Sequence, residues 1–159
     1  MERLQRMISI AEILTPAQVD LKVEAATKDE AVLKVLDLLR GDPRVQNWER
    51  LRRAVQERNA PAVEQNECGI LIAHGRTNSL SGLVMAAGRL LQPLTCPEIA
   101  VPIRLVFVAG IPRAVDTEYL RVIGAIVRAL RDRHQLERLL GVKEAARFVT
   151  LLSSQETRL

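Results

Sequence analysis

The segment Val101–Val108, VPIRLVFV, constrains the fold most. Val101, Ile103, Leu105 and Phe107 occupy one parity of a strand, with Val106 and Val108 between them, so the segment reads as a strand buried on both faces. A sheet of such strands needs helices above and below it. Val19, Leu21 and Val23 alternate with Asp20, Lys22 and Glu24, the period of a half-buried strand. Ile70–Ala73, following Gly69, is a short apolar run that predicts another buried strand. In Ser81–Leu94 the residues Leu83, Met85 and Ala87 alternate, and Gly88 marks a bulge or a close approach; periodicity alone leaves strand and helix open there.

The helices are marked by caps and stripes. Thr27-Lys28-Asp29-Glu30 is a capping box, followed by Val32, Val35, Leu36 and Leu39 at helical spacing and stopped by Gly41 and Pro43. A second helix is expected over Asn47–Gln56, with Trp48, Leu51 and Val55 on its inner face. The longest pattern starts at Asp116 or Thr117, with Leu120, Ile123, Val127 and Leu130 as its inner stripe. Asp132–Leu140 and Lys143–Leu152 predict two more helices, divided by Gly141. Residues 1–10 read as a loosely held terminus, Ile10–Pro16 as a short turn, Gln92–Pro102 as a loop and Gly110–Ala114 as a turn. The expected order is strand, two helices, three strands, three helices. That order implies an α/β fold: a three-layer α/β/α sandwich with a mixed central sheet, one domain over residues 1–159 with its core at about 10–153.

Apolar residues make up 48% of the chain, enough for a packed core, whereas aromatics are only 3%, which argues against a base-stacking nucleic-acid platform. The net charge of +4 is spread among interleaved acids and bases, without a basic run. The charged start, MERLQRMISI, does not read as a signal peptide, and no apolar run approaches the length of a membrane span. Two cysteines, Cys68 and Cys96, make no disulfide framework and fit a cytoplasmic protein. Cys68 and His74 share a strand face but lie about 20 Å apart, too far for a nucleophile–base pair. His74, His134, Cys68 and Cys96 lack the paired spacing of a zinc site. No phosphate loop or dinucleotide fingerprint is present, and no cofactor is expected.

The chemistry concentrates in Cys68–Leu83, CGILIAHGRTNSLSGL. His74 follows the short apolar run and faces a polar turn, with Arg76, Thr77 and Ser79 close behind. A neutral imidazole among cationic and hydroxyl donors suits binding or accepting a phosphoryl group. Gly69-Ile70-Leu71-Ile72-Ala73-His74-Gly75-Arg76-Thr77 resembles the G-I-A-I-P-H-[GA]-[RK]-T signature of type 2 enzyme IIA proteins. These belong to the fructose, mannitol and nitrogen-regulatory class of the bacterial phosphoenolpyruvate-dependent phosphotransferase system. The resemblance implies the order above, makes Ser81–Leu94 a strand, and gives His74 the role of accepting a phosphoryl group, through Nε2, from a histidine phosphocarrier protein. The group would pass to a sugar-permease domain or serve a regulatory protein as a mark.

The family carries an Arg-Glu pair at the end of the second helix, sixteen residues before its histidine. Arg58 has that spacing from His74, with Asn59 in place of the glutamate, so the resemblance makes Arg58 the phosphate-holding arginine. Arg76 is a second candidate, and Thr77, Ser79 and Tyr119 are candidate hydrogen-bond donors. Tyr119 stands where the family often presents a second histidine; a phenol donates a hydrogen bond but does not shuttle protons at pH 7. The family's glycine-rich stretch before the histidine is replaced by AVEQNEC, which keeps only Gly69 and would set Glu64 and Glu67 beside the phosphoryl site. Ala73 replaces the usual proline. These departures leave a second reading open: a non-catalytic regulatory or interaction module of the same fold.

Overall fold

The computed structural model describes residues 9–113 and 116–154; the expectation for the first eight residues lies outside them, as does Ala114. Its elements are α1 (Ile10–Ile13), β1 (Val19–Val23), α2 (Lys28–Leu36), α3 (Trp48–Gln56), β2 (Ala62–Gln65), β3 (Cys68–Arg76), β4 (Val84–Leu94), β5 (Ile103–Ile111), α4 (Asp116–Arg131), α5 (Arg133–Gly141) and α6 (Ala145–Ser153). The five strands form one mixed sheet in the order β1-β4-β5-β3-β2. β1 runs parallel to β4 and β3 parallel to β5, whereas β4/β5 and β2/β3 are antiparallel.

Two apolar clusters cover the two faces of the sheet, as the double-sided burial of β5 requires. Val35, Leu36, Leu51 and Val55 of α2 and α3 pack on Leu71, Ala73, Val106 and Val108. On the other side Val122, Ile126, Leu136 and Phe148 of α4, α5 and α6 pack on Ile70, Ile72, Leu105 and Phe107. The three layers are those expected, with a mixed sheet at the centre. Thr27 caps α2 by accepting from the Glu30 N–H at 3.1 Å, while the Glu30 carboxylate accepts from the N–H of Ala26, one residue earlier than a simple box would have it.

The expected order needs one strand more. Ala62–Gln65 forms an edge strand paired with Cys68–Leu71, and Asn66 and Glu67 make the two-residue turn between them with φ of 51° and 65°. Both positive φ values match the twist of a tight hairpin, and Asn tolerates that region better than most residues. The Asn66 amide also donates to the carbonyls of Leu130 (3.0 Å) and Arg131 (2.7 Å), satisfying the open end of α4. Ile10–Ile13 forms a turn of helix, so the segment read as a turn is partly helical. β4 continues through Gln92–Leu94 and β5 through Gly110 and Ile111, shortening the expected loop and turn.

The phase of α4 also differs from expectation. Tyr119, Val122, Ala125, Ile126 and Ala129 face inward together with Leu130 of the expected stripe, whereas Ile123 and Val127 are half-buried and Leu120 is 68% exposed. Apolar residues at helical spacing occur along both stripes, so periodicity could not choose between them. Small residues decide it: Ala125 and Ala129 let the helix lie close to the sheet, and Tyr119 then turns toward β3. Among the described residues no helix is long and apolar enough to cross a membrane.

Candidate functional site

β3 carries the histidine. Its side chains alternate between the two cores, Ile70 and Ile72 under α4 to α6, Leu71 and Ala73 under α2 and α3. His74 therefore emerges on the α4 side, paired in register with Ala109 of β5. The strand does not stop at His74, as the polar turn suggested, but runs on to Arg76. The imidazole is half-buried there, and the Tyr119 ring from the first turns of α4 lies 5.4 Å away between centroids, tilted by 41°.

Gly75 falls on the opposite face and lets α3 press against the strand. A Cβ at this position would lie 2.7 Å from the Val55 amide nitrogen and 2.8 Å from the Ala54 carbonyl carbon. Neither backbone atom can yield without moving the helix. The chain leaves α3 through Arg58, whose N–H donates to the Val55 carbonyl at 3.3 Å and whose side chain is exposed. Gly75 is thus the contact that seats the end of α3 beside the histidine. Gly75→Ala is expected to cost about 1–3 kcal/mol, the range for overpacking a tight contact. A thermal melt measures the loss.

The electrostatics follow from this arrangement. Burial holds the His74 pKa below the ordinary imidazole value, and the Arg58 and Arg76 guanidiniums push it further in the same direction. The Tyr119 phenol is raised by burial, partly offset by the same two cations, so it stays protonated as a donor at neutral pH. The two guanidiniums and the phenol therefore act around one neutral ring. The midpoint of His74 protonation should therefore lie below the ordinary imidazole value of about 6.5. A titration of its ring by NMR checks this; a midpoint above that value would mean that the cations do not face it.

Thr77 and Ser79 are placed differently. Both are buried, their hydroxyls lie 3.1 Å apart, the Ser79 N–H donates to Thr77 Oγ1, and the Ser79 hydroxyl reaches the Asn47 carbonyl at 3.5 Å. They shape the loop after β3 and tie it to the cap of α3. The carboxylates expected beside the histidine are elsewhere: Glu64 pairs with Gly69, five residues back along β3, and Glu67 sits in the hairpin turn, 3.8 Å from Arg133. At about 3.3 Å per residue, Gly69, and Glu64 beside it, lie some 16 Å along the strand from His74 with Glu67 farther still, so neither carboxylate sets a repulsive charge at the ring. Gly69 serves instead for close packing, with Ile99 and Pro102 inside 3 Å of where its Cβ would be.

Residues 12–155 match the family model described as the phosphoenolpyruvate-dependent sugar phosphotransferase system, EIIA 2. The chain belongs to that family. A fructose-specific EIIA component from Haloferax volcanii is 28% identical over 129 residues, covering 80% of this chain and 84% of its own. The fold of this EIIA 2 chain matches the nitrogen regulatory protein IIA-Ntr from Neisseria meningitidis with a TM-score of 0.73, at 22% identity over 90% of this chain and 98% of that one. It also matches Escherichia coli mannitol enzyme IIA, solved in complex with phosphorylated mannitol enzyme IIB, with a TM-score of 0.70 at 21% identity over 87% and 95% of the two chains.

Among the groups around His74, Gly75 is the one that sequence reasoning under-used. A glycine flanked by two side chains that must point to one face is the signal of a helix crossing closely on the other.

Proposed function

We propose that this EIIA 2 chain is a phosphoryl carrier in the cytoplasm. His74 takes a phosphoryl group from the phosphohistidine of a histidine phosphocarrier protein and passes it to a sugar-permease component or holds it as a regulatory mark. The observation that carries this reading is a half-buried imidazole kept neutral by burial and by Arg58 and Arg76. A neutral ring offers a nitrogen lone pair, and the same cations that disfavour imidazolium favour an arriving anion.

In the transfer, the lone pair of one His74 nitrogen forms the new N–P bond as the donor's N–P bond breaks and its electron pair returns to the donor imidazole. Arg58 and Arg76 hold the equatorial oxygens, and the Tyr119 hydroxyl supplies a neutral donor. Thr77 and Ser79 act one step back, by fixing the loop that follows the histidine. The rate comes from alignment and fixed positive charge. The mannitol enzyme IIA structure pairs that protein with a phosphorylated IIB, which supports a IIB-like partner for the onward step here.

Tyr119 favours a second reading, in which the domain acts by contact alone, because the phenol cannot replace an imidazole as a proton shuttle. Incubation with phosphoenolpyruvate, enzyme I and the phosphocarrier protein separates the two. The carrier reading expects a gain of one phosphoryl group in intact mass. No gain, with an active control protein in the same mixture, would leave the contact module.

A further inference from the structure

A concavity lies at the other end of the sheet. Lys22 of β1, Arg89 of β4 and Arg104 of β5 line this concavity of about 230 Å³ whose walls include Leu21, Leu91 and Leu140. Arg104 stands five residues before Ala109, the partner of His74, which separates this concavity from the histidine by about 17 Å of strand. No carboxylate lines it among the described residues, and no ion pair among them holds any of the three cations. Asp20, close by in sequence, is turned to accept from the Lys22 backbone N–H at 2.9 Å.

Arg89 is the informative member. It is half-buried, Nε donates to the Leu21 carbonyl at 3.3 Å and Nη1 to the Leu139 carbonyl at 3.1 Å. Burial works against its charge. A desolvated guanidinium held by two neutral carbonyls, with two further cations beside it, is a costly arrangement without an anion. Leu91 adds exposed apolar surface at 47%.

The sheet is also distorted here. All three register breaks among the described strand pairs fall on these residues: β1 against β4 between Asp20 and Val23, β4 against β5 between Arg89 and Leu94, and β3 against β5 where Arg104 is the extra residue. Bulges re-aim side chains and recur beside functional sites. Here they gather three strands' cations around one hollow.

We propose that this hollow binds a small oxyanion, a phosphate or carboxylate carrying a short apolar arm, with Lys22, Arg89 and Arg104 on the charge and Leu21, Leu91 and Leu140 around the arm. The volume is below the usual 300–1,000 Å³ of drug-sized pockets, which fits an anion with a few carbons. The guanidiniums supply paired donors for its oxygens.

An amide NMR titration of the full chain at constant ionic strength tests this, with inorganic phosphate, n-butyl phosphate and chloride as probes. The expected result is saturable shifts at Lys22, Leu91 and Arg104, with butyl phosphate binding about ten-fold tighter than phosphate through its buried methylenes. Lys22 and Arg104 are exposed, so the Lys22→Gln/Arg104→Gln variant should keep the remaining spectrum while losing about ten-fold or more in affinity. Shifts that do not saturate, that chloride reproduces, or that the double variant retains at the same affinity would overturn the assignment. Vesicles containing phosphatidylglycerol identify the source: sedimentation that the variant loses assigns the phosphate to a lipid headgroup, and its absence, with the free probes binding, assigns it to a soluble anion.

Discussion

His74→Ala is expected to abolish phosphoryl uptake from the phosphocarrier protein, with no gain in intact mass under conditions that convert the unaltered protein completely. The expectation is sharp because the chain has two histidines. His134 is exposed in the first turn of α5. It lies on the surface of α5, apart from the Arg58, Arg76 and Tyr119 that act on His74, so it is no substitute. Removing an imidazole at a half-buried strand position leaves the two cores on either side of β3 intact, so the variant should fold and melt close to the unaltered protein. A variant that still gains one phosphoryl group would move the reacting residue elsewhere.

Arg58→Ala is expected to slow phosphorylation about 100-fold, the scale of losing one donor aimed at developing charge. The side chain is exposed and makes no ion pair among the described residues, so little stability should be lost with it. The same substitution removes one of the two charges that depress the His74 pKa, so the ring should titrate at higher pH in the variant. The direction follows from the sign: a nearby cation disfavours imidazolium, and its removal relieves that cost. Stopped-time mass measurements across a range of carrier concentrations give the rate. A loss confined to rate at saturation would assign Arg58 to the transferring phosphoryl group, and unchanged kinetics would remove it from the site.

The parts of this account that sequence exposes are those in which one residue's position is forced by its neighbours. A doubly buried strand such as β5 announces itself by having no polar parity, and that alone demands covering layers on both faces. The capped starts of α2 and α3 are equally plain, with Thr27 and Asn47 each accepting from an N–H three residues on. The histidine and the arginine sixteen residues before it are visible because a motif and a spacing can be read without coordinates.

β2 was hidden for a physical reason. Ala62–Gln65 is a half-exposed edge strand with little alternation, and its hairpin turn uses Asn66 and Glu67 in place of glycine. Misreading that hairpin moved Glu64 and Glu67 next to the histidine, whereas pairing with β3 carries them to the far end of the strand. The inner face of α4 was ambiguous because Leu120, Ile123 and Val127 satisfy the same spacing as Tyr119, Val122 and Ile126. Contact with the sheet, which no local pattern contains, selects the face that includes Ala125 and Ala129. Likewise the engagement of Thr77 with Ser79 depends on how the loop closes onto the cap of α3, so hydroxyls that look available in sequence are turned inward.

The central claim is that one ring, His74, bonds to phosphorus. Phosphorus NMR of the protein after treatment with the phosphorylated carrier, combined with the ring signals of both histidines, measures that bond directly. The account predicts a single phosphohistidine resonance, a displaced His74 ring and an unmoved His134 ring. A spectrum without a phosphorus resonance, or one whose phosphorus couples to His134, would contradict it.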